Sequence, residues 1–251
     1  VLVYLICIAC VGLPIMMTEI LIGRRTQKSA VGALKDLAGP AWGFVGGLGV
    51  LTGFVILGYY TVIAGWSLRN FVVCLQWSLG DGAPPANEVA KGFGMFLGSP
   101  GLQILVTTLF MTTSMFVVHR GIGRGIERVA RALMPALFGI LLILLVTALT
   151  MPGRDEALAF IFKPRLDQLS RTAILEALGH SFFTLSLGRG AMITYGSYMQ
   201  RKESVVRASV TVVILDTVIA MIATIIMFSV SFSVPGMAES IHGSKSTVGL
   251  L

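Results

Sequence analysis

Charged side chains are scarce in this 251-residue sequence. Only 12% of the residues are Asp, Glu, Lys or Arg, 55% are hydrophobic, and the mean hydropathy is +0.86. A soluble globule of this size needs more polar surface, so the composition excludes an ordinary soluble domain and favours a chain embedded in lipid. Uncharged stretches at 37–68, 92–118, 132–153 and 217–238 are long enough for membrane-spanning helices, which need roughly 20 apolar residues.

Cysteine is also rare, and its placement counts against a disulfide framework. Cys7, Cys10 and Cys74 all lie in apolar stretches, where we interpret them as packing residues. The metalloprotease spacing H-E-x-x-H is absent from the sequence. Its absence counts against a membrane-embedded enzyme that would use His119 or His180 with an acidic partner.

The two ends of the sequence lack the features of chain termini. It opens on Val1 at full hydrophobicity, with no initiator Met, no basic leader and no cleavage signal. It stops at Leu251, shortly after a loop-like stretch at 236–243. We therefore expect this sequence to be part of a longer chain.

Within a single transmembrane domain over 1–251, clusters of charge, glycine and proline separate six candidate spans: 1–22, 42–78, 101–118, 127–150, 173–198 and 205–234. The loops on one side carry eleven basic and three acidic residues, against six basic and seven acidic on the other. The positive-inside rule places the first set in the cytoplasm, so both ends of the sequence are expected outside the inner (plasma) membrane. The net charge of +7 is then a topology signal, and no nucleic-acid partner is expected.

Glu19 and Asp216 lie inside these spans, where an ionisable side chain costs about 2.5–3.5 kcal/mol. Glu19 is expected either to pair with a loop arginine or to bond the backbone of a neighbouring helix. Asp216 lies about three turns into the last span, and is either an ion ligand or a structural hydrogen-bonding residue. Tyr59 and Tyr60 are either packing aromatics or part of a site.

The segment from Phe182 to Gly190 interrupts the fifth span with Ser, Thr and two glycines. Gly costs a helix about 1 kcal/mol relative to Ala, and Ser and Thr can bond backbone groups that a broken turn frees. We therefore predict a break around Gly188, although a kinked but continuous helix also fits the composition. In secondary transporters, broken helices at membrane depth bind the coupling ion and the substrate.

Five motifs, in the same order, closely resemble the neurotransmitter:sodium symporter family, which includes bacterial sodium-dependent amino-acid transporters. They are Gly12-Leu13-Pro14 with Glu19 and Gly23-Arg24, Tyr59-Tyr60 with Trp66, Arg120-Gly121-Ile122 through Gly125-Ile126-Glu127 with Met134-Pro135, Phe182-Phe183-Thr184-Leu185-Ser186-Leu187-Gly188, and Ile193-Thr194-Tyr195-Gly196-Ser197-Tyr198. The resemblance covers the second to the seventh family helix. It implies an all-α polytopic membrane protein, part of an inverted-repeat bundle of the bacterial leucine transporter type with one discontinuous helix.

The resemblance also implies a site for sodium as coupling ion and for an amino acid or related small amine. Tyr60 would hold the substrate carboxylate and, with Phe183, close the extracellular side, while Ile56 would touch the substrate side chain. Backbone carbonyls around Phe183, Thr184 and Ser186 would receive the substrate ammonium, and Thr184 would also ligate sodium. Hard oxygen ligands suit an alkali cation.

A second group of matching residues concerns ions. Asp216 falls where many family members have a sodium-ligating Asn, so it is expected to ligate sodium. Tyr4 and His180, with Thr184 and Asp216, match the neighbourhood that binds chloride in animal members. Because a fixed negative charge there replaces the anion, the resemblance implies that chloride is not required.

Ser197 and Tyr198 match the inner gate, on the cytoplasmic side. The expected substrate segment ends at Gly188 and Arg189, and Arg189 departs from the apolar or aromatic residue usual in the family. It either selects a substrate with an acidic or polar side chain or points into the outer vestibule. The family's first and eighth helices are not in this chain, so we do not expect it to transport alone. A non-transporting remnant or scaffold of the same fold is the alternative.

Overall fold

The computed structural model describes residues 1–80, 82, 84–163 and 170–234. The helices of this part of the chain are α1 (Leu2–Cys7), α2 (Leu13–Thr26), α3 (Ala30–Ala38), α4 (Gly43–Leu79), α5 (Ala86–Leu97), α6 (Pro100–His119), α7 (Glu127–Leu149), α8 (Arg154–Phe162), α9 (Arg171–Thr184), α10 (Ala191–Ser197) and α11 (Val205–Ser233). The predicted all-α class is confirmed. The loop-like stretch at 236–243, and the charged residues at 81, 165, 167, 239 and 245 that entered the topology prediction, lie outside the described residues.

In the described part of the chain, five helical stretches are long and apolar enough to cross a membrane: Leu2–Thr26, Pro40–Leu79, Pro100–His119, Glu127–Leu149 and Val205–Ser233. The predicted span at 173–198 is instead divided into α9 and α10, which have 14 and 7 residues. The break predicted around Gly188 is therefore present, and the alternative of a continuous helix was wrong. The first stretch also runs past the predicted limit of 22 and ends at Thr26, and the next residue, Gln27, adopts a left-handed conformation with φ 54°.

The chain forms two compact units, one made of residues 1–50 with 135 onward and the other of Leu51–Met134. In the first unit, α1 and α2 form one continuous rod, joined by a π-helical turn at Ile8–Gly12. Pro14 explains the turn, because proline has no N–H to offer the carbonyl four residues earlier and its ring crowds that carbonyl. The wider turn relieves the crowding without ending the helix.

Glycine allows α2 and α10 to meet backbone to backbone in the first unit. A Cβ atom on Gly23 would overlap the carbonyl oxygen of Ile193, and one on Gly196 would overlap the carbonyl oxygen of Ile20. Such close approach is typical of helix packing in lipid, where small residues mark the contact. α9 packs against α1, and the apolar cluster around these helices consists of Ile8, Met16, Ile20, Leu185, Leu187, Val205 and Val213.

Two short helices of the first unit, α3 and α8, pack against the longer or neighbouring helices. Ser29 caps α3 by accepting a hydrogen bond from the Gly32 N–H, and the helix buries Ala30 and Ala33 against Ile193. α8 lies against the end of α11, where the ring centroids of Phe160 and Phe228 are 5.0 Å apart. These contacts hold the short helices beside the long ones.

The second unit contains most of α4, α5, α6 and the start of α7. The indole N–H of Trp66 on α4 donates to the Gln103 side chain of α6 over 3.2 Å, and the Trp66 ring meets Phe93 of α5 edge to face. A Cβ on Gly65 would lie 3.0 Å from the Thr107 backbone, so α4 and α6 also pack closely. The polar bond and the tight packing together fix the register of these helices.

Candidate functional site

The break between α9 and α10 is a run of left-handed backbone. Ser186, Gly188 and Gly190 have φ values of 58°, 78° and 72°. Glycine adopts this region freely, whereas a residue with a side chain pays roughly 1–2 kcal/mol there. The Ser186 and Leu187 N–H groups turn back to the carbonyls of Phe183 and Phe182. The chain thus closes α9 with tight turns before α10 begins.

Three successive backbone carbonyls in the break have no hydrogen-bond donor in the part of the chain that the structure describes. Within the described residues, no hydrogen bond is donated to the backbone carbonyls of Thr184, Leu185 or Ser186. The Phe183 carbonyl, also expected to receive the substrate ammonium, already accepts from the Ser186 N–H at 3.2 Å and from the Arg189 guanidinium at 2.6 Å. A cation would therefore find its free acceptors one residue further along the chain than Phe183.

Glu19 bonds the backbone at the centre of the break. Its Oε1 atom accepts a hydrogen bond from the Gly188 N–H over 2.8 Å, and Glu19 is only 9% exposed. Of the two alternatives drawn from the sequence, bonding to a neighbouring backbone is the one present. The Oε2 atom is buried and has no hydrogen-bond partner among the described residues. Glu19 thus places a carboxylate at the break with one oxygen that could still accept a hydrogen bond.

Four of the residues expected at the ion sites lie together where α1, α9 and α11 approach. The hydroxyls of Tyr4 and Thr184 are 3.3 Å apart and share a hydrogen bond, and the Tyr4 ring lies 5.2 Å from that of His180. The Asp216 carboxylate interacts electrostatically with His180 and Tyr4. Its Oδ2 atom is buried without a partner in the described part of the chain. The cluster offers hydroxyl and carboxylate oxygens, the ligand class that sodium prefers.

Arg189 turns back over the end of α9. Besides its hydrogen bond to the Phe183 carbonyl, its guanidinium lies 5.3 Å from the centroid of the Phe183 ring. The side chain is half-buried, and Phe183 itself is 41% exposed. Phe183, which is expected to close the site, is therefore held in place by Arg189.

The two residues expected at the inner gate lie at the end of α10. Ser197 donates to the Thr194 carbonyl over 2.6 Å, and Tyr198 is 62% exposed. The loop that follows is tied to the end of α2, because Arg24 donates to the Glu203 carbonyl over 2.6 Å. Arg24 was not expected to have this role, and only its position beside Gly23 in a family motif pointed to it.

Ile56 and Tyr60 belong to the second unit and lie one turn apart on α4. Tyr60 is 55% exposed, Ile56 is half-buried, and the Tyr59 and Tyr60 rings meet edge to face at 6.1 Å. These contacts fit the packing interpretation of the tyrosine pair. Among the described residues, the Tyr60 hydroxyl has no hydrogen-bond partner.

The sequence and the fold are similar to those of known proteins. The sequence pattern of the Sodium:neurotransmitter symporter family matches residues 88–245. The chain is 34% identical over 233 residues to an uncharacterized sodium-dependent transporter of Bacillus subtilis, YhdH, covering 92% of this chain and 51% of that protein. It is 28% identical over 254 residues to the rat sodium- and chloride-dependent transporter XTRP3, covering 90% and 41%.

The chain belongs to the sodium:neurotransmitter symporter family. Its structure is similar to the crystal structure of MhsT in complex with L-phenylalanine, with a TM-score of 0.86 and 40% identity, over 99% of this chain and 56% of that one. The similarity confirms the predicted bundle of the bacterial leucine transporter type with one discontinuous helix. This family is one of multi-pass membrane transporters and not of enzymes. The chain spans about half the length of the curated relatives it matches.

Proposed function

We propose that the full-length protein carrying this sequence is a sodium-coupled symporter of an amino acid or a related small amine. The observation that carries the proposal is the break between α9 and α10, where three successive carbonyls have no hydrogen-bond donor among the described residues. Unpaired carbonyls at membrane depth are unfavourable unless a ligand or water satisfies them. A substrate ammonium and a sodium ion are ligands that would do so.

The substrate would lie along the break. Its ammonium would bond the free carbonyls of Thr184 and Ser186, and Gly188 would let it approach the backbone closely. Tyr60 would donate its hydroxyl hydrogen to the substrate carboxylate, with Ile56 against the side chain. The L-phenylalanine bound in the MhsT structure supports an amino acid as substrate.

Sodium would be held by oxygen atoms beside the same break. Thr184 would supply its hydroxyl, and Asp216 would supply a carboxylate whose charge offsets that of the cation. Because Asp216 lies near Tyr4 and His180, its charge would also occupy the electrostatic place of a bound anion. We therefore propose that this protein does not require chloride, in contrast to relatives such as XTRP3 that are named sodium- and chloride-dependent.

Transport would alternate access to this site from the two sides of the membrane. Tyr60 and Phe183 would close the outer side, and Ser197 with Tyr198 the inner side. The distribution of basic residues among the loops supports an orientation in the inner (plasma) membrane with both ends of this sequence outside. The lipid bilayer and the small substrate are the partners this requires.

The test is uptake by the full-length protein, purified and reconstituted into liposomes. Labelled amino acids should accumulate under an inward sodium gradient, with chloride replaced by gluconate, and a sodium ionophore should abolish the accumulation. A potassium gradient of the same size is the control. Absence of both sodium-dependent uptake and sodium-dependent substrate binding would favour the alternative, a non-transporting remnant of the same fold.

A further inference from the structure

Arg189 carries a positive charge that no carboxylate balances among the described residues. The ion pairs in that part of the chain join Lys28 to Asp36, Arg131 to Glu127 and Arg154 to Asp155. The contacts of Arg189 are with the Phe183 carbonyl and ring. A cation at membrane depth is costly, and such residues usually pair with an opposite charge or mark a ligand path.

The guanidinium is nevertheless fixed in place. The bond to the Phe183 carbonyl measures 2.6 Å, and the ring of the same residue faces the cation at 5.3 Å. One N–H group is engaged, whereas a guanidinium has five in a planar fork. The remaining N–H donors keep the planar geometry that matches a carboxylate. Because Arg189 is already ordered, binding a carboxylate would cost little further side-chain entropy.

The position of the guanidinium relates it to the proposed site. Phe183 immediately precedes Thr184, the first residue whose carbonyl lacks a donor, and successive residues are about 3.8 Å apart along the chain. If the ammonium of an amino-acid substrate bonds the carbonyls of Thr184 and Ser186, the substrate's own side chain is long enough to reach the Arg189 guanidinium. A substrate that brought a second positive charge there would be repelled.

We propose that Arg189 is a specificity-determining residue that binds the side-chain carboxylate of an acidic, dicarboxylic amino acid. This inference rests on the proposed function and names the substrate class for the same site. The substrate carboxylate neutralises the guanidinium, and its two oxygens accept from the fork. A neutral amide analogue has one acceptor oxygen and no charge, so it binds less tightly.

The experiment compares paired substrates in the reconstituted full-length protein. Sodium-driven uptake of L-glutamate and L-glutamine, and of L-aspartate and L-asparagine, is measured for the parent, Arg189→Gln, Arg189→Lys and Arg207→Gln. Arg207 is an exposed arginine at the start of α11 and serves as the matched control. The ratio of acid to amide uptake within one preparation is independent of how much of each variant folds.

The parent should prefer each acid over its amide by at least about tenfold, the size of one charged hydrogen bond. Arg189→Gln should lower that ratio about ten- to a hundredfold, Arg189→Lys should lower it less, and Arg207→Gln should leave it unchanged. A parent that takes up the amides preferentially, or an Arg189→Gln ratio equal to the parent's, overturns the inference and leaves sodium-coupled transport intact. If no amino acid is taken up with sodium, the proposed function fails, and the inference with it.

Discussion

Glu19 accepts a hydrogen bond from the Gly188 backbone N–H over 2.8 Å, so a carboxylate on the first spanning rod is bonded to the break between α9 and α10. The two residues are 169 positions apart in the sequence. The bond satisfies a backbone N–H group that has lost its helical acceptor because the helix is broken there. The break is thereby a defined conformation and not an unravelled helix.

Replacing Glu19 by Leu should destabilise the protein, because the Gly188 N–H would lose its acceptor. An unpaired buried donor costs about 1–3 kcal/mol, so the thermal unfolding midpoint of the full-length protein in detergent should fall. Glu19→Gln keeps an acceptor oxygen, so its unfolding midpoint should fall less. Glu88→Leu, at an exposed carboxylate of α5, is the control. Equal midpoints for Glu19→Leu and the parent would show that the bond does not stabilise the fold.

Gly23→Ala should disrupt the contact between α2 and α10. The added methyl group would overlap the Ile193 carbonyl, and backbone on both sides leaves it no room to move. We expect a loss of about 1–3 kcal/mol, measured as a lower unfolding midpoint. Gly47→Ala is the matched control, because nothing lies within 4 Å of a Cβ at that position and alanine favours helix. A midpoint for Gly23→Ala at or above that of Gly47→Ala would contradict the close packing.

Tyr60→Phe in the full-length protein should weaken substrate binding with little effect on folding. The lost hydrogen bond to a charged carboxylate is worth about 1.5–3 kcal/mol, or roughly ten- to a hundredfold in affinity. Equilibrium binding of labelled substrate to purified protein measures it. Tyr59→Phe removes the neighbouring hydroxyl and should keep the parent's affinity. The assigned role is refuted if both variants bind substrate as the parent does.

Asp216→Asn should weaken sodium dependence, since a ligand charge that offsets the cation is removed. The sodium concentration for half-maximal uptake should rise about tenfold or more, the equivalent of about 1.4 kcal/mol. External chloride should partly restore uptake by returning a negative charge beside Tyr4 and His180. Uptake curves with chloride and with gluconate test both points. If the curves match the parent's in both salts, Asp216 is a structural hydrogen-bonding residue.

Much of the fold was predictable from local sequence. Apolar runs between charged loops located the spanning helices, because hydropathy and helix length act over about 20 residues. The glycines and Ser186 located the break for the same reason, since backbone preference is a local property. The π-helical turn at Ile8–Gly12 was missed, although Pro14 was a signal for it.

The partners within the site were less predictable. Sequence alone left two alternatives each for Glu19 and Arg189, because the atoms that decide between them come from residues brought together by folding. Family resemblance placed Tyr4, Thr184 and Asp216 in one neighbourhood, and the structure brings them together. It gave no guide to Arg189, where this sequence departs from the family.

The shortness of α10 has a consequence for how the protein is made. Seven residues cannot cross a bilayer, and isolated helices shorter than about 12–15 residues are marginal in water. α10 therefore depends on its backbone contact with Ile20 and Gly23 of α2, a helix that is synthesised about 170 residues earlier. Because α2 is synthesised first, it can already be in the membrane when α10 emerges. The order of synthesis thus provides the surface against which α10 folds.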